Sequence, residues 1–270
     1  MRKLVILSFC LIIGLFVWSN EAKAGELAQR LANFSQWERL TSTQPVNGDL
    51  IYPTWMQGEW IVKSTLVDLA APLAPDIITP GFEGNRQYLN QPVSFKVKFV
   101  PEKTYITGSK LIPRIVNKSA AIVADRAYNG LSLARAYLGE DAVISVKVDP
   151  ESPNRQITTL KNDLQLVSIV TTRAIETTQD DKYITSEVFQ QLFKGAKNPY
   201  FNIVESTTAY QQQPTKQPAI IADQVTAVYL SPQDPNYFKA GTKPVALYKY
   251  NLEFNTTNNS QEKMAPPDLL

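Results

Sequence analysis

The chain has 270 residues, with 27 Lys and Arg against 25 Asp and Glu, one cysteine and no histidine. With no histidine and a single cysteine, it can form no internal disulfide, His-based triad or His-ligated zinc site. The near balance of charge also argues against electrostatic capture of nucleic acid or anionic lipid.

Arg2 and Lys3 precede an apolar run over residues 4–18, followed by Ala22-Lys23-Ala24. A charged start, a short apolar stretch and an Ala-x-Ala site describe a secretory signal over 1–24, with cleavage expected after Ala24. The alternative is an uncleaved membrane anchor. Cleavage removes Cys10, the only cysteine, and leaves positive and negative side chains in balance.

Residues 25–50 open with Leu27, Leu31 and Phe34 at helical spacing, which Trp37 and Leu40 can continue, and then a polar loop over 41–49. A strand is expected over 60–69. The connection 76–90, carrying Pro80-Gly81, Gly84 and Arg86, is longer than a hairpin needs. Val93, Phe95, Val97 and Phe99 alternate with Ser94, Lys96 and Lys98, as in a strand with one buried face. After a short strand over 105–112 the period changes. Val123, Ala127, Leu131, Ala134 and Leu138 predict a helix near 119–138, with Ser119 as N-cap and Gly139 at its end. Asp125, Asn129 and Ser132 form a polar stripe on its other side, and Gly130 weakens it by about 1 kcal/mol relative to alanine.

From there on the pattern is β, with strands expected at 142–148, 155–160, 164–175, 182–193, 200–210, 220–230 and 244–254, and a disordered tail over 255–270. The expected fold is mostly β: one antiparallel up-and-down β-barrel of about eight to ten strands over 51–254, with one inserted helix.

Gly58-Glu59-Trp60 at the mouth of the first strand, together with this meander, resembles the calycin superfamily of lipocalins and fatty-acid-binding proteins. That resemblance implies a barrel plug made by Trp60 and a basic residue of the last strand, here Lys249 in place of the usual arginine. A second resemblance covers most of the chain. Tyr52-Pro-x-Trp55, Ser64-Thr-Leu-Val67, Pro80-Gly-Phe-Glu-Gly84, Asp125-Arg-Ala-Tyr-Asn-Gly130, Val148-Asp-Pro150 and Tyr229-Leu-Ser-Pro-Gln-Asp-Pro235 are similar to an uncharacterised family of cyanobacteria and chloroplasts. Its members are directed to the thylakoid lumen and have no assigned activity, so the resemblance implies compartment and fold.

Each candidate site has a structural and a functional reading. Trp55 and Trp60 are either a buried plug or the floor of an apolar site. Arg86, Arg114, Arg126 and Arg135 are either solvated or donors to an anionic headgroup. Glu187 and Glu205, amid apolar neighbours, could supply acid–base chemistry if the fold paired them. Tyr248 and Tyr250 share a face with Ala246, Leu252 and Phe254 and present hydroxyls to the interior if that face points inward.

The expectation is a non-enzymatic, monomeric binding protein, exported to the thylakoid lumen or periplasm. It would hold an apolar or amphipathic small molecule (lipid, pigment or quinone-like) through Arg86, Arg126, Tyr248 and Tyr250, with no cofactor, metal or nucleic acid. The alternatives are an assembly factor for a photosynthetic membrane complex, contacting it through the 70–90 loop and the helix, and an enzyme working with carboxylates alone.

Overall fold

In the computed structural model, the structure describes residues 25–257 apart from 80, 103, 107–113, 117–120 and 198. The expected signal segment, Ser119 and most of the tail lie outside the described residues.

The elements run in chain order as α1 (Glu26–Ala32), β1 (Gln44–Pro45), β2 (Gly58–Ala70), α2 (Phe82–Asn85), β3 (Pro92–Pro101), β4 (Thr104–Ile106), β5 (Arg114–Val116) and β6 (Ile122–Ala124). There follow α3 (Arg126–Leu138), β7 (Val143–Asp149), β8 (Ser152–Leu160), β9 (Gln165–Thr177), β10 (Tyr183–Lys194), β11 (Tyr200–Gln212), β12 (Ile220–Leu230), α4 (Tyr237–Ala240) and β13 (Ala246–Thr256). One sheet runs β6-β3-β2-β13-β12-β11-β10-β9-β8-β7, every pair antiparallel, with β1 added beside β9. The mostly β meander expected from the sequence is therefore present, and it curls into a half-barrel. The strand at 122–124 falls where the helical period had been extended too far, and the expected tail begins inside β13, where Asn255 and Thr256 pair with Ile61 and Trp60.

Among the described residues no ladder joins β7 to β6 or β3. Helix α3 lies across that seam, packed against β3 on one side and β7 on the other. Its start is fixed by Asp125, whose carboxylate accepts from the Tyr128 amide at 3.1 Å. The polar stripe is the docking surface. The Asn129 carboxamide accepts from the Lys98 amide at 2.7 Å and donates to the Lys98 carbonyl at 3.0 Å, and Ser132 Oγ accepts from the Lys96 amide at 2.9 Å. These side chains occupy backbone groups that β3 would otherwise present as an open edge. At helical spacing, Arg126, Gly130, Leu133 and Tyr137 fall on one face, turned into the half-barrel. Gly130 lets the helix approach β8: an added Cβ would lie 2.6 Å from the Gln156 amide nitrogen.

Strand alternation gives the sheet two faces, and each carries a buried apolar cluster. The concave face carries Trp60, Val62, Val97, Phe99, Tyr183, Tyr210, Ile220, Ala222, Leu252 and Phe254 in one buried cluster. The convex face carries Val225, Ala227, Tyr229 and Ile184, which pack under Leu27, Trp37 and Leu40 of the N-terminal segment. That segment is a strap held by two carboxylates. Glu176 accepts from the Leu27 and Ala28 amides at 2.8 and 3.3 Å, and Glu205 accepts from Arg30 at 2.5 Å, Tyr229 at 3.0 Å and the Leu40 amide at 3.2 Å.

Candidate functional site

The concave face forms a chamber between two sealed ends. The lower end is where β2 starts. There Gly58, at φ 132°, adopts a backbone that an L side chain disfavours, so that the chain turns and brings Trp60 beneath the sheet. The indole N–H of Trp60 donates to the Met56 carbonyl at 2.8 Å, and Tyr52, Phe99, Tyr210 and Phe254 close around it. Burial pushes the Tyr52 hydroxyl well above the ordinary tyrosine range and the Tyr210 hydroxyl up to about 12.

A charged clasp lies inside this end, at the foot of α3. Arg126 donates to Asp49 and to Glu187, each at 2.9 Å; Arg173 donates to Glu187 at 2.7 Å and to the Asn154 carboxamide at 3.0 Å. Asn154 in turn donates to the Gly48 carbonyl at 2.9 Å. Two guanidinium groups therefore meet two carboxylates.

The upper end is covered by the long connection after β2. Phe82 is buried against the Tyr248 ring at 5.9 Å, Asn85 donates to the Tyr248 hydroxyl at 3.0 Å, and Tyr88 packs on Tyr137 of α3 at 6.2 Å. Leu89 bridges to Leu66, so both ends of the short helical turn are tied to the barrel wall.

Between these ends, water reaches the inner face. Phe189, Gln191, Val204, Ser206, Gln224, Thr226, Val228 and Tyr250 all have inward register and are half-buried rather than buried. Leu133, on the inner face of α3, is 42 % exposed. Burial pushes the Tyr250 hydroxyl well up, helped by the nearby Tyr137 and Tyr248. The Tyr250 hydroxyl makes no hydrogen bond among the described residues, whereas Tyr137 and Ser64 oxygens lie 3.5 Å apart.

The residues singled out in the sequence are distributed unevenly over this chamber. Tyr248 and Tyr250 line it, Arg126 stands at its floor and Trp60 seals the end below. Arg86 does not enter: it is exposed on the lid, paired with Glu83 at 3.0 Å. Arg135 pairs with Glu140 on the outer flank of α3, and the Arg114 side chain lies outside the described residues. Lys249 is not part of the plug. It is in register with Asp68 and Val225 on the convex face, whereas Trp60 is in register with Thr256, at the far end of the strand. The last strand thus supplies no cation over the tryptophan. Trp55 is half-buried beside a depression of about 640 Å³ at the lower end, shared with Tyr183 and Gln211.

Glu187 and Glu205 sit on neighbouring strands but one residue out of step, since Val188 is the partner of Glu205. They face opposite sides of the sheet, each held by arginine, so they cannot flank one bond as an acid–base pair. Leu133, Tyr137, Phe189 and Asn202 are inner-face residues that sequence reasoning missed. The spacing 126–130–133–137 was the signal available for the helix face.

No group of three or more potential metal ligands of the His, Cys, Asp and Glu types occurs among the described residues, and no helix there is long and apolar enough to cross a membrane. A family model described as Domain of unknown function (DUF6816) matches residues 45–258. No curated protein and no solved structure matches the chain.

Proposed function

This chain belongs to the DUF6816 family, and we propose that it is a non-enzymatic binding protein holding an apolar or amphipathic small molecule inside the half-barrel, much as a lipocalin does. The single observation behind this reading is the water-accessible, uncharged inner band, in which Phe189, Val204, Val228 and Leu133 leave apolar surface open between two ends closed by aromatic side chains. An interior serving stability alone would bury that band, because partly filled apolar space weakens packing. The chamber mixes apolar walls with a few inward hydroxyl and amide groups, as ligand cavities do. In this reading the protein is exported, and works in the thylakoid lumen or the periplasm.

The test is titration of the purified protein, residues 25–270, with the neutral dye Nile red. Saturable fluorescence enhancement is expected. It should be abolished by Val204→Trp, which fills the chamber, and kept by Ile169→Trp on the convex face. Absence of saturable binding, or equal loss in both variants, would refute the reading.

A second reading has an observation of its own. Phe238 on α4 is 90 % exposed, and Ile78, Leu138, Ile144 and Phe201 are also exposed on connections and strand ends at the upper end. An apolar rim of this kind fits a contact with a partner, including a membrane complex. Affinity capture from native membranes should then recover a defined partner, lost on Phe238→Ser. Recovery of the same proteins with that variant counts against it.

A further inference from the structure

We propose that the upper end of the half-barrel seats on the surface of an anionic lipid bilayer, with Phe238 entering the acyl boundary and lysines meeting the headgroups. The partner is lipid itself, which separates this seating from the protein contact considered above for the same rim. It stands whether or not the chamber holds a guest.

The connections that leave the strands at this end lie side by side. The β10–β11 turn meets the β8–β9 turn where Gly195 lies against the Asp163 carbonyl. Tyr200, whose ring is 5.8 Å from that of Phe193, reaches Thr79 of the connection after β2 at 3.4 Å. In that connection Ile77 packs with Ala240 and Tyr237 of α4, and Asp76 pairs with Lys239 at 3.1 Å. The exposed side chains of Phe193, Ile78 and Phe238 therefore belong to one continuous rim.

The single turn of α4 holds Phe238 out from this rim. Its backbone is closed by the Ala240 amide donating to the Asn236 carbonyl at 2.9 Å and the Gly241 amide donating to the Tyr237 carbonyl at 3.2 Å. Ala240 and Tyr237 turn towards Ile77, which leaves Phe238 facing water, 90 % exposed. Among the described residues its one ring partner is Tyr237, at 5.4 Å. A phenyl ring fixed in water by an ordered turn forgoes the apolar burial that it would gain in an acyl layer.

The charges beside it are basic. Connections on the α4 side carry Lys194, Lys197, Lys239 and Lys243 against Asp76 and Asp234, with Arg86 and Glu83 cancelling each other. Lys194, Lys197 and Lys243 are exposed, and none forms an ion pair among the described residues. Towards the seam the balance reverses, since Lys161 stands near Asp141 and Asp163. The near neutrality of the whole chain thus conceals a basic stretch on one side of one end.

A rigid protein partner is held by a contiguous, well-packed apolar centre. Here the apolar groups are separate tips set among flexible lysines. A fluid interface receives each tip on its own: the rings sink to the acyl boundary while the lysine stems keep their ammonium groups among the phosphates. One apolar wedge and a few lysines also make the pair of weak signals that stable surface binding needs.

The experiment is flotation of the purified protein, residues 25–270, with vesicles of phosphatidylcholine alone or of equal parts phosphatidylcholine and phosphatidylglycerol. Leaving out residues 1–24 keeps their apolar run from binding lipid. The protein should bind the anionic vesicles at least about tenfold more tightly than the neutral ones, and less tightly as salt is raised. Phe238→Ser should weaken that binding about tenfold, and Lys194→Gln together with Lys197→Gln should do the same while removing the preference for phosphatidylglycerol. Lys216→Gln, in the turn at the lower end, should change nothing. In Phe238→Trp, the emission gained over wild type should shift to the blue on the anionic vesicles and be quenched by brominated acyl chains. Failure to float with anionic vesicles, flotation that Phe238→Ser leaves intact, or Phe238→Trp emission that vesicles do not alter would overturn the seating. Failure on protein-free vesicles together with capture of a protein partner lost on Phe238→Ser would assign the rim to a protein contact instead. A protein that binds Nile red yet does not float loses the seating alone, and the binding function is untouched.

Discussion

Glu205→Gln is the change whose consequence can be worked out most fully. The carboxylate is fully buried and accepts from Arg30, Tyr229, the Leu40 amide and, at 3.4 Å, Thr207. Glutamine keeps one oxygen, so part of this set survives. Arg30 loses its counter-ion, and the new NH2 is pressed against donors. Breaking a buried pair in this way costs about 3–5 kcal/mol, and the 15 % exposure of the Arg30 side chain lets water recover part of it, leaving about 2–4 kcal/mol. The cation–π contact of Arg30 over Trp37, at 4.4 Å, should loosen as well, so the strap should fray before the barrel unfolds. Urea unfolding followed by tryptophan fluorescence gives the stability change, and limited proteolysis within 25–43 reports the strap. The double variant Arg30→Met, Glu205→Gln should regain much of the loss, because it removes both charges while the glutamine oxygen still accepts from the Leu40 amide or Tyr229. A Glu205→Gln protein within about 0.5 kcal/mol of wild type, or a double variant no better than the single, would refute this account of the strap.

Asn129→Ala should cost about 1–3 kcal/mol by stripping the Lys98 amide and carbonyl of their partners, and light scattering should show self-association through the bared β3 edge. Gly130→Ala should gain little alone, because its Cβ meets Gln156, yet stabilise a Gln156→Ala background by about 1 kcal/mol in thermal melts. Tyr52, Tyr183 and Tyr210 have folded-state values raised above their unfolded ones, chiefly by burial, so the unfolded chain ionises first. Stability should therefore be intact below about pH 10 and fall as pH rises towards 12, with their ionisation at 295 nm coinciding with loss of circular dichroism. Smooth ionisation of every tyrosine near pH 10 in folded protein would contradict it.

The strands were readable because most alternate over long runs: β3 announced its buried face through Val93, Phe95, Val97 and Phe99, and β13 through Tyr248 to Phe254. That pattern put Tyr248 and Tyr250 on one face with Ala246, Leu252 and Phe254, and the fold is what turns this face inward. The seam was less legible. Val123 fits the helical period of α3, but it belongs to β6, and the true start is set by Asp125 capping Tyr128. A stripe such as Asn129 and Ser132 looks solvated in any helical projection, since only the tertiary structure shows a strand edge in need of donors and acceptors. Lys249 failed for a similar reason. Alternation put it opposite Tyr248 and Tyr250, so a residue outside the barrel could not complete a plug within it. Asn202 carried no signal, because an asparagine near a strand end is ordinary until its neighbours are known.

The apolar outer side of β12 explains why this sheet needs its strap. On β12, Val225, Ala227 and Tyr229 face outward and Ile220 and Ala222 face inward, so the outer side of the strand is a continuous apolar run that needs a cover. The match to the family begins at residue 45, after the strap residues that cover Val225, Ala227 and Tyr229. The strap thus stands outside the matched unit and covers apolar surface that belongs to it. Anchoring it through Glu205 and Glu176 places those carboxylates on the convex side, and the inner charges are gathered into one neutral clasp at the floor. What remains for the chamber wall is uncharged.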